Sequence, residues 1–344
     1  MNKIVFIAKI MLFSLRRFFL FQKNIFKELA NYCNRYWNVQ FNEVKYISLQ
    51  YRIFVIYNYF KIIYFKPEMP FIDVKNIVPR RVQSELLPII NLCKDVMVDK
   101  ILFYRTLQKY RVPYPDVLFY KKEGICYLLD GTEAHNYKSS TIDNVFAKKY
   151  DGSAGDGSFV VENEKVENLP SGFLYQSIEK NHPEIYLLAE NKVLNTIRVH
   201  SYLCDDNSVE LQSAHIKLSN GNITDNIGTG GIGVAIDINS GKLYENGFAE
   251  IGKQQTFKRH PLGKIDLENF SIPFWDLTIK LIHQLHHIFR NDVRSVGWDI
   301  AITENGPSVI EGNAGGDIFI PQVFIKPYYN TRMIQENIIA KNDY

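Results

Sequence analysis

The chain has 344 residues, 46% of them hydrophobic and 22% charged, which supplies enough apolar material for a large core and excludes a disordered chain. Its formal charge of +3 hides an asymmetry, because residues 1–66 carry eleven Lys or Arg against two acids, +9, and leave −6 on the remainder. Basic character is therefore local, no nucleic-acid module is recognisable, and nucleic acid is not an expected partner.

The N-terminal run Ile4 to Leu15 superficially resembles a signal peptide. Lys9 interrupts it, Arg16-Arg17 follow at once, and no small-x-small cleavage site appears, so secretion is not expected. Nor is there a stretch of about 18 uncharged apolar residues to span a bilayer. On a helix, Lys9, Arg16, Arg17, Lys23 and Lys27 share one face, while Ile7, Met11, Phe18, Ile25 and Phe26 share the other; Phe13 and Leu20 intrude on the basic face. With the basic-aromatic segment Tyr51 to Lys66, this predicts a helical region lying in an anionic membrane interface. The competing reading packs its apolar face on the body of the protein or on a second subunit. Cys33, Cys93, Cys126 and Cys204 lack zinc-type spacing and read as reduced thiols of a cytoplasmic protein, peripheral at most on the inner face of the membrane.

Residues 67–95, with Pro67, Pro70, Pro79 and Pro88, read as a connecting region. Helical periodicity over Asp99 to Tyr110 ends at the breaker Val112-Pro113-Tyr114-Pro115, and a strand follows at Val117 to Tyr120. Further strands are predicted at Val145 to Lys149, Phe159 to Glu162, Asn195 to Leu203, Val209 to Lys217 and Gly233 to Ile238, then a long helix from Pro273 to Arg290. Strands outnumber helices and come in hairpins, which points to an α+β architecture rather than a doubly wound parallel sheet. The expected organisation is an N-terminal region 1–75, a linking segment 76–125 and a main domain 126–335.

Two stretches carry chemistry. Val145 to Ser158 is an apolar strand bearing Lys148, then a loop with Gly152, Ser153, Gly155 and Gly157 whose backbone N–H groups can close over phosphate oxygens. It is not a Walker motif, since no Gly-Lys-Ser/Thr opens a helix. Val296 to Asn313 reads as a hairpin around the three-residue loop Glu304-Asn305-Gly306. Counting outward pairs Thr303 with Pro307, Ala301 with Val309 and Asp299 with Glu311, and turns Asn313 the same way. Facing carboxylates need a compensating cation, and hard oxygen donors suit magnesium. His283, His286 and His287 on the long helix read as a solvated face, and His260 beside Pro261 reads either as an acceptor contact or as a turn cap.

Several segments in order carry a resemblance: Asn195-Thr196-Ile197-Arg198, Asp225-Asn226 with Gly230-Gly231, His260-Pro261, Ile272-Pro273-Phe274-Trp275, Gly297-Trp298-Asp299-Ile300-Ala301 and Glu311-Gly312-Asn313. From about Val98 to Pro321 the chain resembles the ATP-grasp superfamily, specifically the sugar-transfer associated ATP-grasp family. The resemblance implies two α+β subdomains gripping ATP, with Asp299, Glu311 and Asn313 as magnesium ligands. It places Lys100 and Lys148 at the nucleotide phosphates, Gln176, Ser177 and Ile178 on the hinge that reads adenine, Glu184 at the ribose and Arg198 at the transferring phosphate. Lys217 stands where the family has an arginine; with Asn226, Gly230, Gly231 and His260 it is a candidate for the acceptor side.

The expected activity is ADP-forming ligation of a carboxylate to an amine through an acyl phosphate, with ATP and magnesium as cofactors. The branch implies a role in bacterial surface polysaccharide (capsule or O-antigen) assembly, on a carboxylate-bearing sugar or an amino acid. Two other readings are a phosphotransferase acting on a sugar hydroxyl and a non-catalytic nucleotide-binding scaffold at the membrane.

Overall fold

A computed structural model describes residues 86–151, 157–190, 193–221, 225, 227, 230–248, 256–268, 270–316, 318, 321 and 331–339. The expectations for residues 1–66 lie outside the described residues, as do those for Gly152, Ser153, Gly155 and Asn226. Helix α1 (Lys100–Lys109) starts where Asp99 accepts hydrogen bonds from the backbone N–H groups of Ile101 and Leu102, at 2.8 and 3.0 Å. That cap satisfies donors the first helical turn leaves unpaired.

The chain then builds a five-stranded antiparallel sheet from β1 (Val117–Lys122), β2 (Ile125–Tyr127), β3 (Val145–Lys149), β4 (Phe159–Val161) and β5 (Phe173–Ser177), in the order β2-β1-β5-β3-β4. Because β1 pairs with β5 in mid-sheet, the boundary expected at residue 126 falls inside a strand of the small lobe. A short helix α2 (Pro183–Leu188) leads to a second sheet of seven strands. These are β6 (Thr196–Leu203), β7 (Val209–Leu218), β8 (Ile232–Ile236), β9 (Leu243–Phe248), β10 (Thr256–Phe257), β11 (Ser295–Thr303) and β12 (Gly306–Ala314), in the order β10-β9-β8-β7-β6-β11-β12. Every pairing in both sheets is antiparallel, so the α+β expectation holds in place of a doubly wound sheet.

The large sheet has two unlike faces. One is apolar: Ile197, Val199, Ala214, Ile216, Trp298 and Ile300 bury against α3 (Trp275–Phe289), whose Leu281, Ile282, Leu285 and Phe289 recur at helical spacing. Phe289 stacks on Phe103 of α1 with ring centroids 5.6 Å apart, which brings the element leading into the small lobe onto this core. The opposite face carries Thr196, Arg198, His200, Ser213, His215, Lys217, Asp299, Glu311 and Asn313, the alternate residues of four adjacent strands. Among the described residues no helix is long and apolar enough to cross a membrane.

Candidate active site

The polar face is organised as one row. Cross-strand partners run from His215 on β7 to Arg198 on β6, Asp299 on β11 and Glu311 on β12. The hairpin turn differs from the expected one: Thr303 pairs with Gly306 across the two-residue turn Glu304-Asn305, Ile302 with Pro307, and Ile300 with Val309. The extra residue sits at Ile310, as a bulge between Val309 and Glu311. An extra residue anywhere between the turn and Glu311 gives the same far register, so Asp299 still faces Glu311. Gly312, on the other side of that strand, permits the close approach of Trp298 and Met97, since a Cβ there lies 2.7 Å from the Met97 sulfur and 2.9 Å from the indole.

Arg198 grips Asp299 with a two-pronged pair, Nε to Oδ1 at 2.7 Å and Nη2 to Oδ2 at 2.8 Å. Lys217 Nζ reaches the same Oδ1 at 3.1 Å and Asp225 Oδ1 at 3.7 Å, and Asn313 Nδ2 lies 3.4 Å from Oδ2. Burial alone pushes Asp299 up, but the Arg198 guanidinium and the Lys217 ammonium hold it well below the usual carboxylate range. Asp225 is tied in turn to Thr196, whose backbone N–H and hydroxyl donate to Oδ2 at 2.7 and 2.5 Å. Glu311 is half-buried and accepts no hydrogen bond from a described residue. Two carboxylates and an amide on one surface are an all-oxygen donor set, as a hard dication shared with phosphate oxygens requires. Among the described residues no group of three or more His, Cys, Asp and Glu side chains is arranged to hold a metal ion.

The small lobe brings cations to Glu311. Lys148 on β3 is buried, its Nζ donating to the Tyr104 hydroxyl at 2.6 Å. Burial lowers its ammonium to about 7 against the pull of Glu311, and the neighbouring Lys100 adds to the fall. Lys100, at the first turn of α1, is likewise lowered by burial and stabilised as a cation by Glu311. Gln176 on β5 lies on the same face of the small sheet as Lys148, with its Oε1 buried and lacking a hydrogen-bond partner. The Ser177 N–H bonds the Asp116 carbonyl at 2.8 Å, the strand ends at Ser177, and Ile178 follows it.

Other expected residues fall elsewhere or play other parts. Glu184 is exposed in the first turn of α2; the acid turned toward the hairpin is Glu179, with Oε1 3.3 Å from the Ser308 hydroxyl. His260 is buried and its Nδ1 accepts from the Leu262 N–H at 3.1 Å, a turn cap. Gly230 takes φ +106 just before β8, and Gly231 beside it is buried. Gly157, at φ +73, precedes β4. The helix histidines require a correction: His283 and His287 are exposed, but His286 is fully buried, its Nε2 2.7 Å from the Ser201 hydroxyl that also accepts from Trp298 Nε1 at 3.1 Å. A helical-face argument cannot see the sheet that covers His286.

Sequence reasoning also missed Tyr104, Glu179, His200 and His215. Burial lowers both sheet histidines, His200 to about 3, so neutral imidazoles line the face beside Arg198. Their alternation with Arg198 and Lys217 on β6 and β7 was the available signal.

Residues 164–333 match the family model described as sugar-transfer associated ATP-grasp. Similar solved structures include D-alanine–D-alanine ligase from Bacillus anthracis, with 11% identity, TM-score 0.41 and 76% of each chain covered. N5-carboxyaminoimidazole ribonucleotide synthetase from Thermotoga maritima has 12% identity and TM-score 0.35 over 64% of this chain and 42% of that one. The L-amino acid ligase from Bacillus licheniformis has 11% identity and TM-score 0.38 over 64% and 41%. The chain thus spans less than half the length of the last two. A search of curated protein sequences gave no significant match. The family match falls on the segment that supplies the Arg198–Asp299–Glu311 row, so the likeness of residues 164–333 to the sugar-transfer associated ATP-grasp family includes the charged face of the large sheet.

Proposed function

We propose that the protein is an ATP-dependent, ADP-forming carboxylate–amine ligase. The observation that carries this reading is the continuous Arg198–Asp299–Glu311 row on one sheet, with Lys100 and Lys148 electrostatically facing Glu311 from the side of the small lobe. Adenine sits at the Ile178 hinge beside Gln176, Glu179 meets the ribose in place of Glu184, and Lys100, Lys148 and the loop of residues 152–157 hold the phosphates. Magnesium held by Asp299, Glu311 and Asn313 supplies Lewis-acid neutralisation of phosphoryl charge.

Arg198 stabilises the charge that spreads over the transferring phosphoryl as the carboxylate attacks, and Asp299 fixes the guanidinium plane for that task. Lys217, Asn226, Gly230 and Gly231 serve the acceptor side. The amine then attacks the acyl carbon, a C–N bond forms and phosphate leaves, so no nucleophile on the enzyme is needed. The acceptor is a uronic acid or an amino-acid-bearing sugar of a surface polysaccharide, carried on a nucleotide or a lipid. Residues 1–66, with their +9 charge, hold the enzyme at an anionic inner membrane surface, where each basic residue contributes about 1 kcal/mol.

The test is ATP turnover across a panel of uronic acids and amino acids with hydroxylamine present. ADP release that depends on the carboxylate and yields a hydroxamate supports the ligase; stable phosphate on a sugar hydroxyl establishes a phosphotransferase instead. Sedimentation with anionic and neutral vesicles tests the membrane part, and equal recovery with both rejects it.

A further inference from the structure

Tyr104 joins three features that the proposed reaction needs aligned. It is fully buried on α1, and its hydroxyl accepts from Lys148 Nζ at 2.6 Å and donates to the Ile310 carbonyl at 2.8 Å. The directions are fixed by chemistry, because a carbonyl only accepts, so the single hydroxyl proton goes to Ile310 and the hydroxyl oxygen accepts from Lys148. Ile310 is the bulge residue of β12, outside the cross-strand pairing with β11, and the next peptide leads into Glu311. The neighbouring Val309 N–H is bonded by the Pro113 carbonyl at 2.9 Å, so the helix and its following loop together cover this edge of the hairpin.

Resting on the proposed nucleotide site, we infer that Tyr104 is a positioning residue that holds the phosphate-binding Lys148 of the small lobe in register with the metal carboxylate Glu311 of the large one. A hydroxyl suits this part better than a carboxylate. It gives the buried ammonium a partner without cancelling its charge, which stays available to phosphate oxygens. It also satisfies the carbonyl that the bulge frees, and so fixes the peptide that aims Glu311 at Asp299. Burial pushes the Tyr104 hydroxyl well above its ordinary range, which keeps it neutral and able to donate.

The experiment is a double-mutant cycle of Tyr104→Phe and Lys148→Met in the full chain, read by calorimetric Mg-ATP binding, by the magnesium concentration needed for half-maximal binding, and by apo melting temperature. Tyr104→Phe should weaken nucleotide binding about tenfold and raise the magnesium requirement. In the Lys148→Met background the magnesium effect should persist through Ile310, while the further loss of nucleotide affinity should largely vanish. A lower melting temperature with unchanged nucleotide and magnesium binding makes Tyr104 a packing residue and overturns the inference, as does strict additivity. A wild-type protein that binds no Mg-ATP refutes the nucleotide reading itself. The apo melting cycle then decides Tyr104 separately: non-additivity upholds its coupling to Lys148, and additivity removes it.

Discussion

Lys148 and Asp299 are both buried charged groups near Glu311, yet their surroundings are opposite. Asp299 has two cations on it, Arg198 and Lys217, and stays ionised despite burial. Lys148 has a neutral hydroxyl at 2.6 Å, and its ammonium falls to about 7. Desolvation penalises both; only a paired opposite charge offsets it. Asp299 is thus matched in charge within its own sheet, whereas Lys148 has a neutral partner and would gain from the negative charge of a polyphosphate.

Breaking the complete side should have the largest effect. Asp299→Asn leaves the buried Arg198 guanidinium without its counter-ion, and removal of one partner of such a pair typically costs about 3–5 kcal/mol. Urea melts should show that loss, and ADP release should fall about a hundredfold or more. Near-normal turnover by this variant would sink the assignment of the row. Glu311→Gln separates function from stability. The carboxylate accepts no hydrogen bond from a described residue, so folding stability should stay within about 1 kcal/mol of wild type. The magnesium titration of ADP release should nevertheless shift strongly, and an unchanged titration would place the metal elsewhere.

The smallest effect is a pH dependence. With Lys148 at about 7 in the folded protein against 10.5 for a free lysine, the unfolded chain holds more protons between those values. Stability therefore rises with pH across that window, and the full penalty of burying the charge is present below it. The stability of wild type relative to Lys148→Met should grow from pH 7 to pH 9 in chemical denaturation, and a flat difference would mean an ordinary solvated lysine. Nucleotide phosphates favour the charged form, so Mg-ATP binding near pH 8 should draw in a proton, read as heat that changes with the buffer's ionisation enthalpy.

Much of the main architecture was legible in the chain. β3 runs from Val145 to Lys149 as expected, the long helix agrees within two residues at its start and one at its end, and the hairpins give an antiparallel α+β fold. Alternation and helical periodicity are local properties of covalent order, and they put Arg198, Asp299 and Glu311 on strands before any packing is known. The family motifs were equally local, being short runs of fixed residues.

What the sequence left open was decided by neighbours distant along the chain. The hairpin's extra residue is at Ile310 rather than at the turn, where Tyr104, 206 residues away, takes the carbonyl. His286 is polar on a helix yet buried, because Ser201 and Trp298 across the sheet give it partners. Glu179 meets the Ser308 hydroxyl of the hairpin at 3.3 Å, whereas α2 carries Glu184 out to solvent. By itself the sequence determined which strands carry the charged groups, since side-chain direction follows from strand period. Only the tertiary structure decided which charges meet and which protons they keep, because desolvation and ion pairing depend on atoms that covalent order does not bring together.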